Sequence, residues 1–404
     1  MGDSLASLST FDAQRLITSL RTGTVPAHHL RQLTVGREDL LDSLNEDLEF
    51  VSAGGSKVRL LAASYGGGKT HLLTLLRDEA LANRFLVSYV ELHSREAPFD
   101  KFEVLYSKVM QGLQSATAEA GVEEVLDVWV RTTRLYDLRA LETALAAVTS
   151  SPDLRNAVKT YVTFAEGSGE LHLQLRNGVL SWLYGARLPA AVAGKVGVRG
   201  PISITNVSDV FRSFLRLTRA VGFPGMVLLL DEAEAVTSLE RSQRRNDANQ
   251  NLRKLLDNTD NNEGLFVVFA TTPRFLDDPD RGAKSYPALW DRIRPVLRPL
   301  AGVAESRGPV MQLRPLAGDQ LVALAARVLV AYAKAYRWDH ESDVDNAALS
   351  KYVKAFLSSQ EPNSVRAFVR GWVTILDAIG TPEGLSSIDS LLDEVDFDQA
   401  EQPV

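Results

Sequence analysis

The strongest chemical signal in the sequence is a glycine-rich loop that closes with lysine and threonine. It reads Ala63-Ser64-Tyr65-Gly66-Gly67-Gly68-Lys69-Thr70. Consecutive glycines let a backbone turn tightly, so that several N–H groups can approach phosphate oxygens without Cβ clashes. Lys69 would reach the β- and γ-phosphates of a nucleotide, and the Thr70 hydroxyl would ligate Mg²⁺. The loop therefore predicts a triphosphate site of the P-loop kind.

One position departs from the full P-loop pattern, in which the first residue is glycine. Ala63 occupies that position here. Alanine is small, and we expect it to be tolerated if its φ angle is negative. The alternative is a glycine-rich loop unrelated to nucleotides. It conflicts with the strand expected before the loop and the helix expected after it.

Two acids end the second candidate motif. An apolar run, residues 227–230, leads directly into Asp231 and Glu232. A P-loop enzyme needs one carboxylate for the Mg²⁺ shell and another to orient or activate the attacking water. We predict Asp231 for the first role and Glu232 for the second. The alternative is that the two acids only end the strand and have no role at a nucleotide.

A third apolar run, residues 266–270, ends in Thr271 and Thr272. Either hydroxyl would be suited to sense the γ-phosphate or to position water. The alternative is a hydroxyl that stabilises a local turn at the strand end.

These side chains need a scaffold that brings strand ends together. Apolar runs typical of buried strands cover residues 58–63, 85–92, 226–230 and 265–270. Helical spacing covers residues 71–82 and 207–221, and the chain after Pro315 is helical in pattern. The sequence therefore predicts an α/β fold, a three-layer core with a parallel sheet, completed by a C-terminal helical lid.

The chain between the loop and the acids is longer than two or three βα units need. Residues 116–200 are mostly helical in pattern, which predicts a helical insertion that binds a partner or only adds packing. Gly194, Gly197 and Gly200 predict a flexible connector at its end. We expect a helical lead (1–34), a core (35–300) that contains the insertion, a helical lid (301–388) and an acidic tail (389–404).

Composition is that of an ordinary soluble protein: 404 residues, 45% hydrophobic and 24% charged, with a net charge of −7 and no cysteine. The absence of cysteine excludes disulfides and thiolate zinc sites. The first residues lack an uninterrupted apolar segment, so we expect no secretory signal, no membrane partner and a cytoplasmic location. Much of the negative charge lies in the tail, so the total does not exclude a local basic surface.

Together the motifs resemble the AAA+ superfamily. Val35-Gly36-Arg37-Glu38 is similar to a box that lies against adenine in initiator-like members. The resemblance implies that Thr271 or Thr272 is sensor 1 and that Arg366 is sensor 2 in the lid. It also implies an arginine finger in an oligomer, for which Arg292 and Arg294 are the candidates. Surface arginines without a role at the nucleotide are the alternative.

A closer resemblance is to the BREX-type ATP-binding protein family. It rests on five stretches in a fixed order: 20–26, 35–38, 65–71 (which adds His71 to the loop), 90–93 and 364–370. The resemblance implies an ATPase with ATP and Mg²⁺ as cofactors. It further implies work on or near DNA, with a superfamily-2 helicase or other phage-defence proteins as partners.

Two basic clusters offer surfaces for DNA phosphates. They comprise Arg241, Arg244, Arg245, Arg253 and Lys254, and then Arg281, Lys284, Arg292, Arg294 and Arg298. Solvated helix faces are the alternative.

Taken together, the motifs predict an ATP-hydrolysing enzyme. The alternative is a nucleotide-dependent scaffold or switch with negligible turnover. A STAND-type signalling NTPase would predict repeats, which the sequence does not show.

Overall fold

The computed structural model describes residues 5–133, 138–257, 261–294, 307–339, 344–359, 364–380 and 388–392. The chain divides into two compact units. The first, here the loop unit, comprises Met1–Asp42, Ala62–Leu75 and Gln312–Val404. The second, here the sheet unit, comprises Ser43–Leu61 and Leu76–Met311.

Helices dominate the described residues. In chain order they are α1 (Thr10–Thr22), α2 (Leu30–Leu33), α3 (Glu38–Ser52), α4 (Lys69–Ala82), α5 (Phe102–Gln111), α6 (Gly121–Thr133), α7 (Leu138–Val148), α8 (Pro152–Thr163), α9 (Glu170–Leu183), α10 (Ala190–Val196), α11 (Val207–Ala220), α12 (Ala235–Ser238), α13 (Ser242–Asp257), α14 (Pro273–Asp277), α15 (Pro287–Ile293), α16 (Gly318–Tyr336), α17 (Asn346–Leu357), α18 (Val365–Ile379) and α19 (Ile388–Leu392). The strands are β1 (Lys57–Ala62), β2 (Leu86–Glu91), β3 (Leu113–Gln114), β4 (Met226–Asp231), β5 (Leu265–Thr271) and β6 (Val310–Gln312).

Six strands form one sheet in the order β3-β2-β4-β5-β1-β6. β2 pairs with β4, and β4 with β5, in parallel, whereas the two-residue β3 pairs antiparallel with β2. The predicted α/β class is confirmed, with one correction: the sheet is mixed because its short edge strand runs antiparallel. Every residue of β4 and β5 is buried, as expected of strands covered on both faces.

Parallel pairing sets which polar residues meet at the sheet edge. Asp231 is the last residue of β4 and Thr271 the last residue of β5. Neighbouring parallel strands end on the same edge, and Leu230 is paired with Phe269, so Thr271 lies one position beyond the residue opposite Asp231. β5 also separates β4 from β1, the strand that precedes the glycine-rich loop.

Helices α6 to α10 account for most of the segment predicted as an insertion, and α11 follows it. α8 packs against α6, α7 and α9, and α11 packs against α5 and α7. The expected flexible connector is wrong. Gly197 caps α10 with a left-handed φ of +83°, and its carbonyl accepts a hydrogen bond of 2.8 Å from Asn156. The Gly200 carbonyl accepts another, of 2.9 Å, from the buried Trp182 indole.

The loop unit has its own apolar core, built by α1, α16, α17 and α18. Ser9 caps α1 by accepting from the Asp12 N–H, and Gly23 ends it with a φ of +72°. The buried Trp372 indole of α18 donates to the Ala325 carbonyl of α16 at 3.0 Å. The beginning of the chain therefore shares one core with the helices predicted as a lid.

Element boundaries follow the sequence predictions closely. The helix after the loop begins at Lys69 rather than at residue 71. The domain boundaries proposed from the sequence stay a prediction, and the tail beyond residue 392 lies outside the described residues.

Where the structure describes the chain, no helix is long and apolar enough to cross a membrane.

Candidate functional site

The glycine-rich loop joins the end of β1 to the start of α4. Gly66 and Gly68 have φ angles of +67° and +98°, in the left-handed region that only glycine enters without strain. A Cβ at Gly67 would lie 3.1 Å from the Ser64 carbonyl oxygen, tighter than ordinary packing. Ala63 is not among the residues with positive φ, so the backbone condition for tolerating alanine is met. Left-handed glycines that lead into a helix N-terminus are a geometry that can hold a phosphate.

Lys69 lies within the loop rather than in solvent. Its side chain is largely buried, and Nζ lies 3.4 Å from the Ala63 carbonyl oxygen and 3.5 Å from that of Ser64. It also lies 5.8 Å from the Tyr65 ring centroid. These two carbonyl contacts are long, and phosphate oxygens at the point where the backbone turns would be stronger partners than either of them.

Arg366, at the start of α18, lies against the same loop. Its backbone N–H donates to the Gly66 carbonyl at 3.2 Å, and its guanidinium lies 5.4 Å from the Tyr65 ring centroid. Ser364 fixes this helix start, because its hydroxyl accepts from the Ala367 N–H. The structure thus brings together the loop and the predicted sensor arginine, with the Tyr65 ring close to both cations.

The predicted adenine box lies in the same unit. Val35 is buried, and Gly36 has a φ of +62°. A Cβ at Gly36 would displace the end of the Gln320 side chain, and the left-handed φ itself favours glycine. The Arg37 guanidinium donates to the Arg314 carbonyl at 2.9 Å, and burial lowers its pKa.

His71 connects this box to the loop. The Thr34 hydroxyl donates to the Leu30 carbonyl at 2.9 Å, so it accepts from His71 Nε2, also at 2.9 Å. Burial, and secondarily the charge of Arg37, lower the pKa of His71 to about 4. The ring is therefore neutral at physiological pH, with its proton on Nε2. It positions the chain before the box rather than supplying charge.

In the sheet unit, both carboxylate oxygens of Asp231 accept hydrogen bonds. It is 2% exposed; its Oδ2 accepts from the Tyr89 hydroxyl at 2.6 Å, and its Oδ1 accepts from the Glu232 N–H at 2.9 Å. Hydrogen bonds to a carboxylate are stronger than those between neutral groups. The carboxylate therefore has a fixed orientation at the carboxyl end of β4.

Glu232 has a strained backbone. Its φ of +55° lies in the left-handed region, which costs a non-glycine residue about 1–2 kcal/mol. Flanking backbone bonds hold the turn, since Ala233 donates to the Ala270 carbonyl and Ala235 donates to the Glu232 carbonyl. Strain of this kind is concentrated at functional sites.

Thr271 and Thr272 differ in their surroundings. Thr271 is fully buried, and its hydroxyl has no hydrogen-bond partner among the described residues. Thr272 is the N-cap of α14 but makes no side-chain cap hydrogen bond. Neither hydroxyl is therefore explained by stabilisation of a local turn.

The arginines of the two basic clusters are engaged mainly within the sheet unit. Arg292 bonds Asp257, and Arg294 lies 3.3 Å from Asp291. Other members bond carboxylates or carbonyls of their own unit: Arg244, Arg245, Arg253, Arg281 and Lys284. Arg298 lies outside the described residues. Roles as an arginine finger or a DNA surface stay predictions.

Sequence analysis missed two side chains at these positions. Tyr89 is one of the hydrogen-bond donors to Asp231, and Gln320 packs on Gly36. β2 also contains Ser88 and Glu91, so the sequence does not single out Tyr89, and its partner becomes visible only when β2 is known to lie beside β4.

Magnesium bound with a nucleotide typically uses one or two protein oxygens and the phosphates. Thr70 and Asp231 offer a hydroxyl and a carboxylate, which are suitable donors, and Asp231 is already oriented. In the part of the chain that the structure describes, no group of three His, Cys, Asp or Glu residues could hold a metal without such a ligand.

Comparison with known families agrees with this geometry. The family described as "BREX system ATP-binding protein BrxC/D" matches residues 8–391, which is nearly the whole chain. No curated protein matches the sequence. The family match covers both the glycine-rich loop and the acids after β4, and the chain belongs to the BREX system ATP-binding protein BrxC/D family.

Proposed function

We propose that this protein hydrolyses Mg-ATP by attack of water on the γ-phosphate. The observation that carries the proposal is the glycine-rich loop, whose left-handed glycines and inward-facing Lys69 form a phosphate cradle at the start of α4. ATP binding follows from membership of the family, and hydrolysis is our further step.

Each predicted residue has a distinct task in this proposal. Lys69 exchanges its loop carbonyls for phosphate oxygens, and Arg366 adds a second cation beside Tyr65. Glu232 orients and deprotonates the attacking water, and its strained φ fixes the direction of its side chain. Bound Mg²⁺ would neutralise charge on the phosphates, with Thr70 and Asp231 as the protein groups that hold its shell.

The adenine end is proposed to lie against the box of residues 35–37. Gly36 gives close access to the backbone, and the neutral His71 keeps the preceding segment in place through Thr34. Mutations at His71 should therefore weaken nucleotide binding through the position of the box rather than through loss of a charge.

We place this activity in phage defence, in the cytoplasm, with DNA and a superfamily-2 helicase as candidate partners. The support is the family, whose description names the BREX system. A homo-oligomer would be required if Arg292 or Arg294 acts on a neighbouring subunit.

A steady-state ATPase assay with and without DNA tests the proposal. Lys69→Ala should lose nucleotide binding, and Glu232→Gln should retain binding and lose turnover. Gln removes the basic carboxylate and keeps the shape of the side chain, so the comparison isolates the proposed base. Equal turnover in wild type and Glu232→Gln would exclude this assignment.

A nucleotide-dependent switch with negligible turnover is the second candidate. It is favoured by the in-chain ion pairs of Arg292 with Asp257 and of Arg294 with Asp291, because either arginine would have to leave its partner in order to act as a finger. Tight ATP binding without release of phosphate, in the presence of DNA as well as in its absence, would support the switch.

A further inference from the structure

The end of helix α1 lies against the arginine that we propose as a second cation at the nucleotide. The stretch 20–26, which contains this end, contributes none of the residues proposed to bind nucleotide or magnesium. Gly23 follows α1 with a φ of +72°, and the Thr24 N–H donates to the Ser19 carbonyl at 3.0 Å. A left-handed glycine with this backbone bond is a common way to end a helix. The neighbours of Gly23 indicate a second role.

Gly23 packs on the aliphatic side-chain stems of two arginines of α18. A Cβ at this position would lie 2.7 Å from Arg370 Cδ and 3.1 Å from Arg366 Cγ, both tighter than ordinary packing. Arg370 Cδ can move by rotation about the Cβ–Cγ bond alone. With the backbone in place, Arg366 Cγ can move only by rotation about the Cα–Cβ bond, which redirects the whole side chain. The missing side chain at Gly23 therefore leaves space for the present direction of Arg366.

This direction brings the Arg366 guanidinium to the glycine-rich loop. The guanidinium lies 5.4 Å from the Tyr65 ring centroid, and the Arg366 N–H donates to the Gly66 carbonyl at 3.2 Å. Lys69 Nζ lies 5.8 Å from the same ring centroid. Since the stem passes Gly23 before the guanidinium reaches Tyr65, the direction of the stem decides how close this cation lies to the loop.

An ion pair connects the end of α1 to the same helix. Arg21 donates to both carboxylate oxygens of Asp377, from Nε at 2.8 Å and from Nη2 at 2.7 Å. At about 100° per residue, positions 366, 370 and 377 lie within about 40° of one another around the axis of α18. One face of α18 therefore carries both the carboxylate that binds α1 and the two arginines that pack on Gly23.

We propose that Gly23 is a positioning residue of the nucleotide site. Because it has no side chain, it leaves the Arg366 stem in the direction that brings the guanidinium to Tyr65 and the loop, and the bidentate pair of Arg21 and Asp377 keeps α1 in register with α18. This role rests on the proposed function, in which Arg366 supplies a cation to the bound nucleotide. The beginning of the chain is then part of the nucleotide site as well as of the helical core.

A double-mutant cycle on nucleotide affinity tests this role. The probe is the non-hydrolysable ATP analogue AMP-PNP with Mg²⁺, titrated calorimetrically into the full chain. We expect Arg366→Ala to weaken binding about tenfold, as for one lost hydrogen bond to a charged group, and Gly23→Ala to weaken it about threefold. In the Arg366→Ala background, Gly23→Ala should cause no further loss, because the stem that it would displace is absent.

Gly222→Ala is the matched control for the backbone. Gly222 follows α11 with a φ of +96°, and the Phe223 N–H donates to the Thr218 carbonyl, which is the bond pattern found at Gly23. Apart from its chain neighbours, a Cβ there would meet no described atom within 4 Å. Alanine is strained at both positions, so both variants should lower the melting temperature. Gly222→Ala should keep wild-type affinity for the analogue.

Gly23→Asn keeps the test decisive if Gly23→Ala does not fold. Asparagine tolerates a left-handed φ better than alanine does, and it carries the same Cβ. This variant should therefore fold and weaken binding of the analogue as Gly23→Ala does. Circular dichroism verifies the fold of each variant.

Wild-type affinity in Arg366→Ala, or in a folded Gly23 variant, would overturn the proposal. An equal loss from Gly23→Ala with and without the Arg366 side chain would do the same. The readout is binding, so a chain that binds the analogue without hydrolysing ATP would contradict the proposed function and leave the role of Gly23 intact. A wild-type chain that does not bind the analogue would overturn both.

Discussion

Tyr89→Phe tests how the sheet unit holds the carboxylate that we propose for the Mg²⁺ shell. The substitution removes the hydroxyl that donates to Asp231 Oδ2 at 2.6 Å and keeps the ring in the sheet. Asp231 is buried, so protein groups rather than bulk water set the orientation of its carboxylate. Without this donor, Oδ2 loses a charge-assisted hydrogen bond, whereas Oδ1 keeps its bond from the Glu232 N–H.

The size of the effect follows from the kind of bond that is lost. A hydrogen bond to a charged group contributes about 1.5–3 kcal/mol, and the partial exposure of Tyr89 favours the lower end. About 1.4 kcal/mol corresponds to a tenfold change in a binding constant. We therefore expect the Mg²⁺ concentration for half-maximal ATP hydrolysis to rise about tenfold. The KM for ATP at saturating Mg²⁺ should stay close to the wild-type value.

Ser88→Ala is the matched control on the same strand. The buried Ser88 hydroxyl donates to the Val109 carbonyl at 2.9 Å and does not touch Asp231. Both variants lose one hydrogen bond of β2, so both should lower the melting temperature. Only Tyr89→Phe should change the Mg²⁺ dependence. An equal shift in both variants, or none in Tyr89→Phe, would refute a positioning role for Tyr89.

Three further predictions concern stability. Glu232→Gly should raise the free energy of unfolding by about 1 kcal/mol because glycine adopts the left-handed φ without strain. Glu232→Gln keeps the strain and should not raise it. Equal denaturation midpoints in the two variants would contradict the claim that the Glu232 backbone is strained. The pKa of His71 is about 4 in the folded protein, below its unfolded value of 6.5. Its contribution to the free energy of unfolding is therefore complete above pH 6.5 and is lost as the pH falls toward 4. The loss should be about 2 kcal/mol, allowing for partial exposure, and His71→Gln should flatten the pH dependence measured by denaturation. Asp47→Asn should destabilise the protein by about 3–5 kcal/mol, because it leaves the Arg59 guanidinium buried without its carboxylate partner at 2.6 Å; a midpoint within error of wild type would contradict this.

Local signals carried most of the fold prediction. The runs that became β1, β2, β4 and β5 are short, apolar and followed by polar residues, so each could be recognised without knowledge of its neighbours. The glycine-rich loop is equally local, because its φ angles and lysine belong to one short stretch. The two-residue β3 was missed, since it is too short to have a period and exists only by pairing with β2.

Contacts between distant residues could not be predicted. The hydroxyl of Tyr89 and the carboxylate of Asp231 meet because β2 and β4 are neighbours, and this order is a property of the whole sheet. The arginines that suggested a DNA surface show the same limit. A count of charges cannot reveal that Arg244 is bound to Asp100, which lies far away in the sequence.

The sheet order also favours one of the two threonines for the proposed contact with the γ-phosphate. The sequence left Thr271 and Thr272 equivalent, since both follow the same apolar run. Thr271 ends β5, which lies between β1, the strand before the loop, and β4, the strand before the acids. Its buried hydroxyl lacks a partner in the described part of the chain, and such a group costs about 1–3 kcal/mol unless a ligand or water satisfies it. Thr272 belongs to the start of α14 and carries no such cost. We therefore infer that Thr271→Val would impair hydrolysis more than Thr272→Val, while stabilising the free protein. The reverse order of ATPase rates in the two variants would contradict this assignment.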